Sequence, residues 1–291
     1  MTSKVSICIP AYKQTEYLKK TLDSILIQDF DDYEIIITDD SPDESVRELV
    51  SSYDFGGKLS YHKNYVSLGS PANWNAAIAK ASGTYIKIMH HDDYFTFDNS
   101  LSEFVKAIEV SGSDFVFSAC VNLFPASGKT WMHIANYKQV RMLKENPKCL
   151  FSGNFIGAPS VTFYRRSAVQ YDVNLKWLVD IDFYIQYLLL SKRFFLIERP
   201  LMTILGADGR VTDECNSKEV EIPEYIYLYN KIFQDRVLAG KRVLKVFKDL
   251  LLKYNIRSFR EIRTLVPEGP IPLIFRPLIV YVFLASRFSS Q

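Results

Sequence analysis

The chain has 291 residues, of which 48% are hydrophobic and 14% aromatic, so it can bury a substantial core. Its 35 Lys and Arg nearly balance its 33 Asp and Glu, which gives no global bias towards nucleic acid, and no nucleic-acid partner is expected. The four cysteines form no CxxC pair, which argues against a zinc site or a disulfide framework. Because the N-terminus runs directly into an apolar strand, no export signal is expected, and the predicted location is cytoplasmic.

The first hundred residues alternate short β-branched runs with stretches of helical periodicity, a pattern typical of a parallel sheet covered by helices. Val5 to Ile9 predicts the first strand, and Glu34 to Thr38 predicts a second, buried strand after a helix. Ser41 and Glu44 have the spacing of a capping box, which predicts a helix directly after the second strand.

Two pairs of aspartates follow strands of this predicted sheet. Asp39 and Asp40 end the second strand, and the predicted strand Tyr85 to Met89 leads into a turn with Asp92 and Asp93. Open α/β sheets bind ligands at the carboxyl ends of their strands, because loops and helix starts converge there on one crevice. The topology therefore predicts one site that contains both pairs.

Further elements follow in chain order, although the pattern is irregular from about residue 124 to residue 157. They are the strand Leu59 to His62, the helices Asn73 to Ala81 and Asn99 to Val110, the strands Asp114 to Leu123 and Ser160 to Arg165, the helix Val179 to Ser191 and the strand Phe194 to Glu198.

The second acidic pair suits a divalent cation. Magnesium and manganese take oxygen ligands, usually one or two carboxylates together with the phosphates of a substrate. Asp93 would then bind the metal, and Asp92 would reach a ribose or order the loop; alternatively, both acids simply favour the turn. His90 and His91 are adjacent and point to opposite sides of an extended segment, so as a pair they make a poor chelate, and a supporting role is expected for them.

Six short motifs follow one another between residues 5 and 183. They are VSICIPAY (Val5 to Tyr12), the spacing of Gln28 to Phe30, EIIITDDS (Glu34 to Ser41), NWNAA (Asn73 to Ala77), the segment Gly83 to Asp93 with its HHDD end, and WLVDIDF (Trp177 to Phe183). This ordered set resembles the inverting glycosyltransferases of family 2, over residues 4 to about 215.

The resemblance implies a GT-A-like α/β fold, with a Rossmann-type, mostly parallel sheet flanked by helices. It implies a catalytic domain at residues 1–215 and a C-terminal helical extension at residues 216–291. The implied activity is inverting transfer of a sugar from a nucleoside-diphosphate sugar to a glycan or lipid-linked glycan acceptor, in cell-surface polysaccharide synthesis such as that of O-antigen or capsule. The implied cofactor is Mn²⁺ or Mg²⁺.

The resemblance also implies roles for individual residues. Pro10 to Tyr12 would line the nucleotide base, Asp40 would accept a hydrogen bond from the base, and Asp39 would support that loop. Asp93 would bind the metal that bridges the two phosphates. From the residues alone, Asp39 and Asp40 could instead cap the following helix. The implied nucleotide-sugar-binding set is Pro10, Ala11, Tyr12, Asp39, Asp40, Asn75, Asp92 and Arg210.

Inverting transfer needs a base that removes the proton of the acceptor hydroxyl, and a carboxylate can serve. Asp180 matches the second acid of the family's acidic pair, although Val179 replaces the usual Glu, and Asp182 is the alternative base. Residues two apart on a helix point to different faces, so only one of the two acids is expected to face the cleft. Asp180 could instead cap the positive end of its helix.

A second departure from the family pattern lies in the loop Gly206 to Thr212, where Ala207 stands in place of an expected His. Arg210 in this loop could clamp a diphosphate with two hydrogen bonds or be an ordinary exposed arginine. Trp74 and Trp177 could stack on a sugar or base, or pack in the core.

The C-terminal segment is basic and amphipathic. Lys231 to Arg263 holds ten Lys or Arg against three Asp or Glu, and Ile271 to Ala285 is apolar but interrupted by prolines and too short to span a bilayer. Two interpretations remain. The segment lies on a membrane surface, which would place the protein peripherally on the inner face of the cell membrane, or it packs on the catalytic domain with a solvated basic face.

Two other functions compete with the glycosyltransferase interpretation. A nucleotidyltransferase can have a similar sheet, but the chain lacks a glycine-rich basic loop near its first strand to hold a triphosphate. An inactive protein that binds nucleotide sugars or glycans is suggested by Val179 and Ala207. The sugar, the base and the acceptor are not specified by any motif.

Overall fold

The computed structural model describes residues 3–206, 215–233 and 240–280. Its strands are β1 (Val5–Ala11), β2 (Tyr33–Asp39), β3 (Leu59–Lys63), β4 (Tyr85–Ile88), β5 (Tyr94–Phe95), β6 (Phe115–Phe124), β7 (Lys129–His133), β8 (Thr162–Arg165) and β9 (Phe194–Leu205). Its helices are α1 (Thr15–Leu26), α2 (Ser45–Ser51), α3 (Ala72–Ala79), α4 (Ser100–Ser111), α5 (Tyr137–Glu145), α6 (Val179–Ser191), α7 (Lys218–Ile232), α8 (Lys241–Lys253) and α9 (Phe259–Leu265), with 3₁₀ helices at Pro147–Ser152 and Pro159–Val161.

The strands form one sheet in the order β3-β2-β1-β4-β8-β6-β9-β5, with β7 added to β6. The first four strands in this order are parallel, as are β6 and β9, whereas β8 runs antiparallel between β4 and β6. The apolar runs of β1 and β2 are completely buried in the sheet, as expected for parallel strands covered on both faces. The predicted α/β fold, a mostly parallel sheet flanked by helices, is confirmed.

Two local predictions were wrong. Helix α2 begins at Ser45 without a capping box, because the Ser41 hydroxyl instead accepts a hydrogen bond from the backbone N–H of Lys13 at 2.7 Å. Strand β9 continues to Leu205 rather than ending at Glu198, because its second half pairs with β6 beyond a register shift. The strands β5 and β7 and the helix α5 were not predicted.

The described C-terminal helices pack against the rest of the chain around Phe151. The ring of Phe151 contacts Tyr225 and Tyr229 of α7 and Phe247 of α8. The apolar face of α8 is buried, while most of its lysines face solvent. Among the described residues, no helix is long and apolar enough to cross a membrane.

Candidate active site

A cavity of about 530 Å³ opens at the carboxyl ends of β1, β2 and β4. Its volume lies within the range of about 300–1,000 Å³ that small-molecule sites occupy. The structure brings seven of the predicted site residues to the wall of this cavity: Pro10, Ala11, Tyr12, Asp40, Asp92, Asp93 and Asp180.

The turn after β4 gathers three potential metal ligands. His90, Asp92 and Asp93 each offer one ligand atom, and these atoms lie within 4.8 Å of one another. Asp93 is only 2% exposed, and its Oδ2 is 3.9 Å from Nδ1 of His90. Two carboxylates and one imidazole fit Mn²⁺ or Mg²⁺, which favour oxygen ligands and tolerate a nitrogen.

His90 and His91 diverge, as expected for adjacent residues. His91 contacts the carbonyl oxygen of Pro10 at 3.3 Å and the Gln14 side chain at 3.0 Å. His90 instead lies near the carboxylates of Asp92 and Asp93, and its ring packs on Trp74 with a centroid distance of 4.6 Å. The sequence predicted only a supporting role for His90. The available signal was that successive side chains of an extended segment point to opposite sides, so His90 and His91 could not both point away from the cleft.

Helix α1 stabilises the backbone of the turn after β4. The Thr21 hydroxyl lies 2.9 Å from the carbonyl oxygen of His91 and 2.8 Å from that of Asp93. The backbone N–H of Asp93 also donates to the carbonyl oxygen of His90. The carboxylates are therefore presented by a turn whose backbone is fixed.

Lys87, on β4, is a buried cation that the sequence interpretation missed. Its Nζ donates to the carbonyl oxygen of Ser160 and lies 4.8 Å from the ring centre of Phe104. Burial lowers the pKa of Lys87 to about 7, while the nearby charge of Asp93 raises it. Lys87 thus ties β4 to the segment that contributes Pro159 to the cavity wall.

Asp39 is completely buried and does not line the cavity. Its carboxylate accepts hydrogen bonds from the backbone N–H of Ser41 at 2.8 Å, the Tyr61 hydroxyl at 2.6 Å and Nζ of Lys63 at 3.0 Å. Burial raises the pKa of Asp39, but these hydrogen bonds outweigh it and hold the pKa below its ordinary value. Asp39 therefore fixes the chain around the end of β2.

Asp40 lines the cavity and orders the loop at residues 64–69. Its carboxylate accepts hydrogen bonds from Asn64 Nδ2 at 2.8 Å and from the backbone N–H groups of Leu68 and Gly69 at 3.0 and 2.8 Å. Neither Asp39 nor Asp40 caps α2, whose N-cap is Glu44. The implied contact of Asp40 with a nucleotide base stays a prediction.

Asp180 and Asp182 lie in different surroundings. Asp180, in the first turn of α6, lines the cavity and accepts a hydrogen bond from Asn154 Nδ2 at 3.3 Å. Burial raises the pKa of Asp180 to about 7. Asp182 is completely buried, does not line the cavity, and accepts from Nζ of Lys231 at 2.8 Å. As expected, only one of the two acids faces the cleft.

Helix α7 holds the start of α6 in place. The buried carboxylate of Glu224 accepts hydrogen bonds from the backbone N–H groups of Lys176 at 2.7 Å and of Trp177 and Leu178 at 2.9 Å each. A carboxylate in this position pairs the backbone N–H groups that lead into α6, and its charge is favourable at the positive end of the helix. Nothing in the sequence pattern pointed to Glu224, because its partners lie 46 to 48 residues away.

We expect Glu224→Ala to lower the free energy of unfolding by about 3 kcal/mol, because three hydrogen bonds to a buried charge are lost together. Chemical denaturation measures this change. Glu219→Ala is the control, since Glu219 lies on the same helix and is exposed. Equal stabilities of the two variants would contradict the inferred role of Glu224.

The remaining predicted residues have other positions. Asn75 does not line the cavity, because both ends of its amide bind the backbone of Tyr171, at 2.8 and 3.0 Å. Arg210 and Ala207 lie outside the described residues. Trp74 and Trp177 both line the cavity, and Trp74 also packs edge-on against Tyr171.

The sheet order and the site at its carboxyl edge define a GT-A type of α/β protein, and solved structures share this fold. The S. aureus TarS 1-349 structure in complex with UDP-GlcNAc is 17% identical, with a TM-score of 0.65, and the match covers 96% of this chain and 79% of TarS. Mannosyltransferase PcManGT from Pyrobaculum calidifontis, in complex with GDP-Man and Mn²⁺, is 15% identical, with a TM-score of 0.59, and the match covers 100% and 81%.

The sequence comparison identifies the family. Residues 6–171 match the model of glycosyl transferase family 2, and the chain belongs to this family. A putative colanic acid biosynthesis glycosyl transferase of Escherichia coli, WcaA, is 21% identical over 266 residues, which cover 90% of this chain and 92% of WcaA. Three other curated relatives are also named as glycosyltransferases. Their matches with this chain cover only 16% to 53% of their own length.

Proposed function

We propose that this protein transfers a sugar, with inversion, from a nucleoside-diphosphate sugar to a hydroxyl of a glycan or lipid-linked glycan. The observation that carries the proposal is a single cavity into which both the His90–Asp92–Asp93 group and Asp180 face. The first is suited to a diphosphate with its cation, and the second is suited to accept a proton. Membership of glycosyl transferase family 2 supports the same reaction class.

The donor side of the proposal uses the ends of β1, β2 and β4. The nucleoside would lie against Pro10, Ala11 and the half-exposed ring of Tyr12, beside Asp40. Asp93, with Asp92 and His90, would hold Mn²⁺ or Mg²⁺, which neutralises charge on the departing diphosphate. The complexes of TarS with UDP-GlcNAc and of PcManGT with GDP-Man and Mn²⁺ support a donor of this class.

Asp180 is the proposed base, and Asp182 is disfavoured because it is paired with Lys231 away from the cavity. A carboxylate whose pKa is about 7 is matched to proton transfer near neutral pH. Asp180 would take the proton of the acceptor hydroxyl as that oxygen attacks the anomeric carbon. The bond from this carbon to the diphosphate breaks on the opposite face, which inverts the configuration.

The proposed pathway is the synthesis of a cell-surface polysaccharide such as O-antigen or capsule. The similarity to WcaA, which is described as acting in colanic acid biosynthesis, supports this assignment. A lipid-linked acceptor would bring the enzyme to the inner face of the cell membrane, and the exposed lysines of α8 offer positive charge to anionic lipids. Peripheral attachment is thus part of the proposal.

Nucleotide binding and donor turnover test the proposal together. Calorimetry with UDP, GDP and dTDP, each with and without Mn²⁺, is expected to show one preferred nucleotide that binds tightly only with the metal. The matching nucleotide sugars should then release nucleoside diphosphate slowly to water. Binding of none of the three by folded protein, or consumption of a nucleoside triphosphate with release of pyrophosphate, would refute the proposal and favour the inactive protein or the nucleotidyltransferase.

A further inference from the structure

The hairpin β6–β7 projects from the edge of the sheet where the cavity opens. Strand β8 pairs antiparallel with both β4 and β6, so β4 and β6 point in the same direction. Strand β8 reaches only as far as Phe117 of β6, and the seven residues of β6 after it continue past the cavity edge. Strand β7 pairs with this projecting part, from Cys120 to Phe124.

One face of the hairpin continues the wall of the cavity. Asn122 is the register partner of Trp131 on β7 and of Ile204 on β9. Register partners on neighbouring strands present their side chains on the same face of a sheet. Because Ile204 lines the cavity, Trp131 lies on the cavity's face, about 10 Å from Ile204 at the usual strand spacing.

A second set of contacts places Trp131 on the Asp180 side of the cavity. His133 lies two residues from Trp131 on the same face of β7, and its Nε2 donates to the carbonyl oxygen of Phe155 at 3.1 Å. In that same loop, Asn154 Nδ2 donates to the Gly157 carbonyl oxygen at 3.0 Å and to Asp180 at 3.3 Å. The hairpin face therefore adjoins the proposed base rather than the nucleoside end.

The ring of Trp131 packs against the protein on one face and is exposed to solvent on the other. Its ring stacks on Phe124 with a centroid distance of 4.7 Å and an interplanar angle of 22°, yet 51% of the residue is exposed. Phe124 is in turn backed by Gly206, where an added Cβ would lie 2.5 Å from the ring. A flat indole that is held from one side offers its other surface at little cost in conformational entropy.

We propose that Trp131, stacked on Phe124, forms a subsite for a sugar ring of the acceptor, beyond the residue that receives the transferred sugar. The C–H groups on one face of a pyranose carry partial positive charge and pack on the negative face of an aromatic ring. This assignment rests on the proposed function, because it takes the acceptor to be a glycan that reaches Asp180 from this side. The subsite would favour acceptors of at least two sugars over a single sugar.

Saturation-transfer NMR tests the subsite without the natural acceptor. The probes are the methyl glycosides of glucose, galactose, mannose, rhamnose and N-acetylglucosamine, which carry no aromatic group of their own. The proteins are the wild type, Trp131→Ala, Trp131→Leu and Trp131→Phe, with Phe195→Ala as the matched control. Phe195 is a similarly exposed aromatic on β9 and is the register partner of Val116, near the start of β6 and away from the cavity.

We expect at least one glycoside to bind the wild type and Phe195→Ala equally, and to bind about ten-fold more weakly to Trp131→Ala and Trp131→Leu. Trp131→Phe should retain most of the binding. Trp131→Leu keeps an apolar side chain that can pack on Phe124, so weaker binding to this variant reflects the lost aromatic ring rather than a disrupted hairpin. Equal binding to Trp131→Ala and the wild type would overturn the proposal, as would binding of none of the probes by folded wild type. The nucleotide calorimetry on the same samples separates the two ideas. Trp131-dependent glycoside binding without nucleotide binding would sustain sugar binding at Trp131, but it would refute the proposed reaction and with it the assignment of this sugar to an acceptor.

Discussion

Asp93→Asn is expected to weaken nucleoside-diphosphate binding in the presence of Mn²⁺ by at least about 100-fold, and to leave the weak binding in its absence unchanged. Asparagine has the shape of aspartate but lacks the charge that a hard cation requires. Asp93 is 2% exposed and is held in a turn with a fixed backbone, so its carboxylate position is well defined. Asp92 and His90 remain in the variant, but two ligands hold a divalent ion far less tightly than three.

Calorimetric titration of UDP, GDP and dTDP into the variant measures this effect. Asp98→Asn is the control, since Asp98 is an exposed acid five residues further along the chain. Thermal unfolding of both variants verifies that the buried turn still forms. If Asp93→Asn bound its nucleotide as tightly as the wild type with Mn²⁺, the assignment of the metal to this turn would be wrong.

The parts of the site that could be predicted are those that depend on local pattern. The buried apolar runs of β1, β2 and β4 identify parallel strands, and parallel strands bring their carboxyl ends to one edge. The sequence pattern alone therefore predicts that Asp40 and Asp93 share one site, and both line the cavity. That only one of Asp180 and Asp182 faces the cavity also followed from geometry, since residues two apart on a helix diverge, but the sequence left open which of the two it is.

The parts that could not be predicted depend on contacts between distant segments. Glu224 acts on backbone groups 46 to 48 residues away, and no periodicity records such a contact. Strand β7 is exposed along most of its length, so it shows no alternation of buried and exposed residues. The capping box at Ser41 failed for the same reason, because a distant partner, Lys13, takes the hydroxyl.

The two acids of α6 show how position sets chemistry. Asp182 is paired with Lys231 of α7, whose Nζ also binds Asp172 at 2.6 Å. The carboxylate of Asp182 therefore helps to hold α6 against α7. Asp180 has no described cation within hydrogen-bonding distance, and burial therefore raises its pKa to about 7. Burial raises the pKa of Asp182 as well, but Asp182 is paired with Lys231 behind the cavity, whereas Asp180 faces the cavity.

Asp180→Asn is expected to lower the catalytic constant for sugar transfer by about 1,000-fold or more, with nucleotide affinity within about twofold of the wild type. The wild-type rate should rise about tenfold per pH unit below pH 7 and level off above it, because only the ionised carboxyl can accept a proton. The variant should show no such rise. A stopped assay of nucleoside-diphosphate release with acceptor, from pH 5 to pH 9, measures both effects.

Stability separates lost chemistry from lost folding. The folded-state pKa of Asp180, about 7, lies above the ordinary value of 3.8, so the protonated carboxyl favours the folded state below pH 3.8, and this contribution is lost as the pH rises through 7. At pH 8, Asp180→Asn should therefore unfold at no lower temperature than the wild type. Asp182→Asn should keep its catalytic constant within about threefold of the wild type, because Asp182 is paired with Lys231 away from the cavity. A large loss of rate in Asp182→Asn with full activity in Asp180→Asn would reverse the assignment of the base.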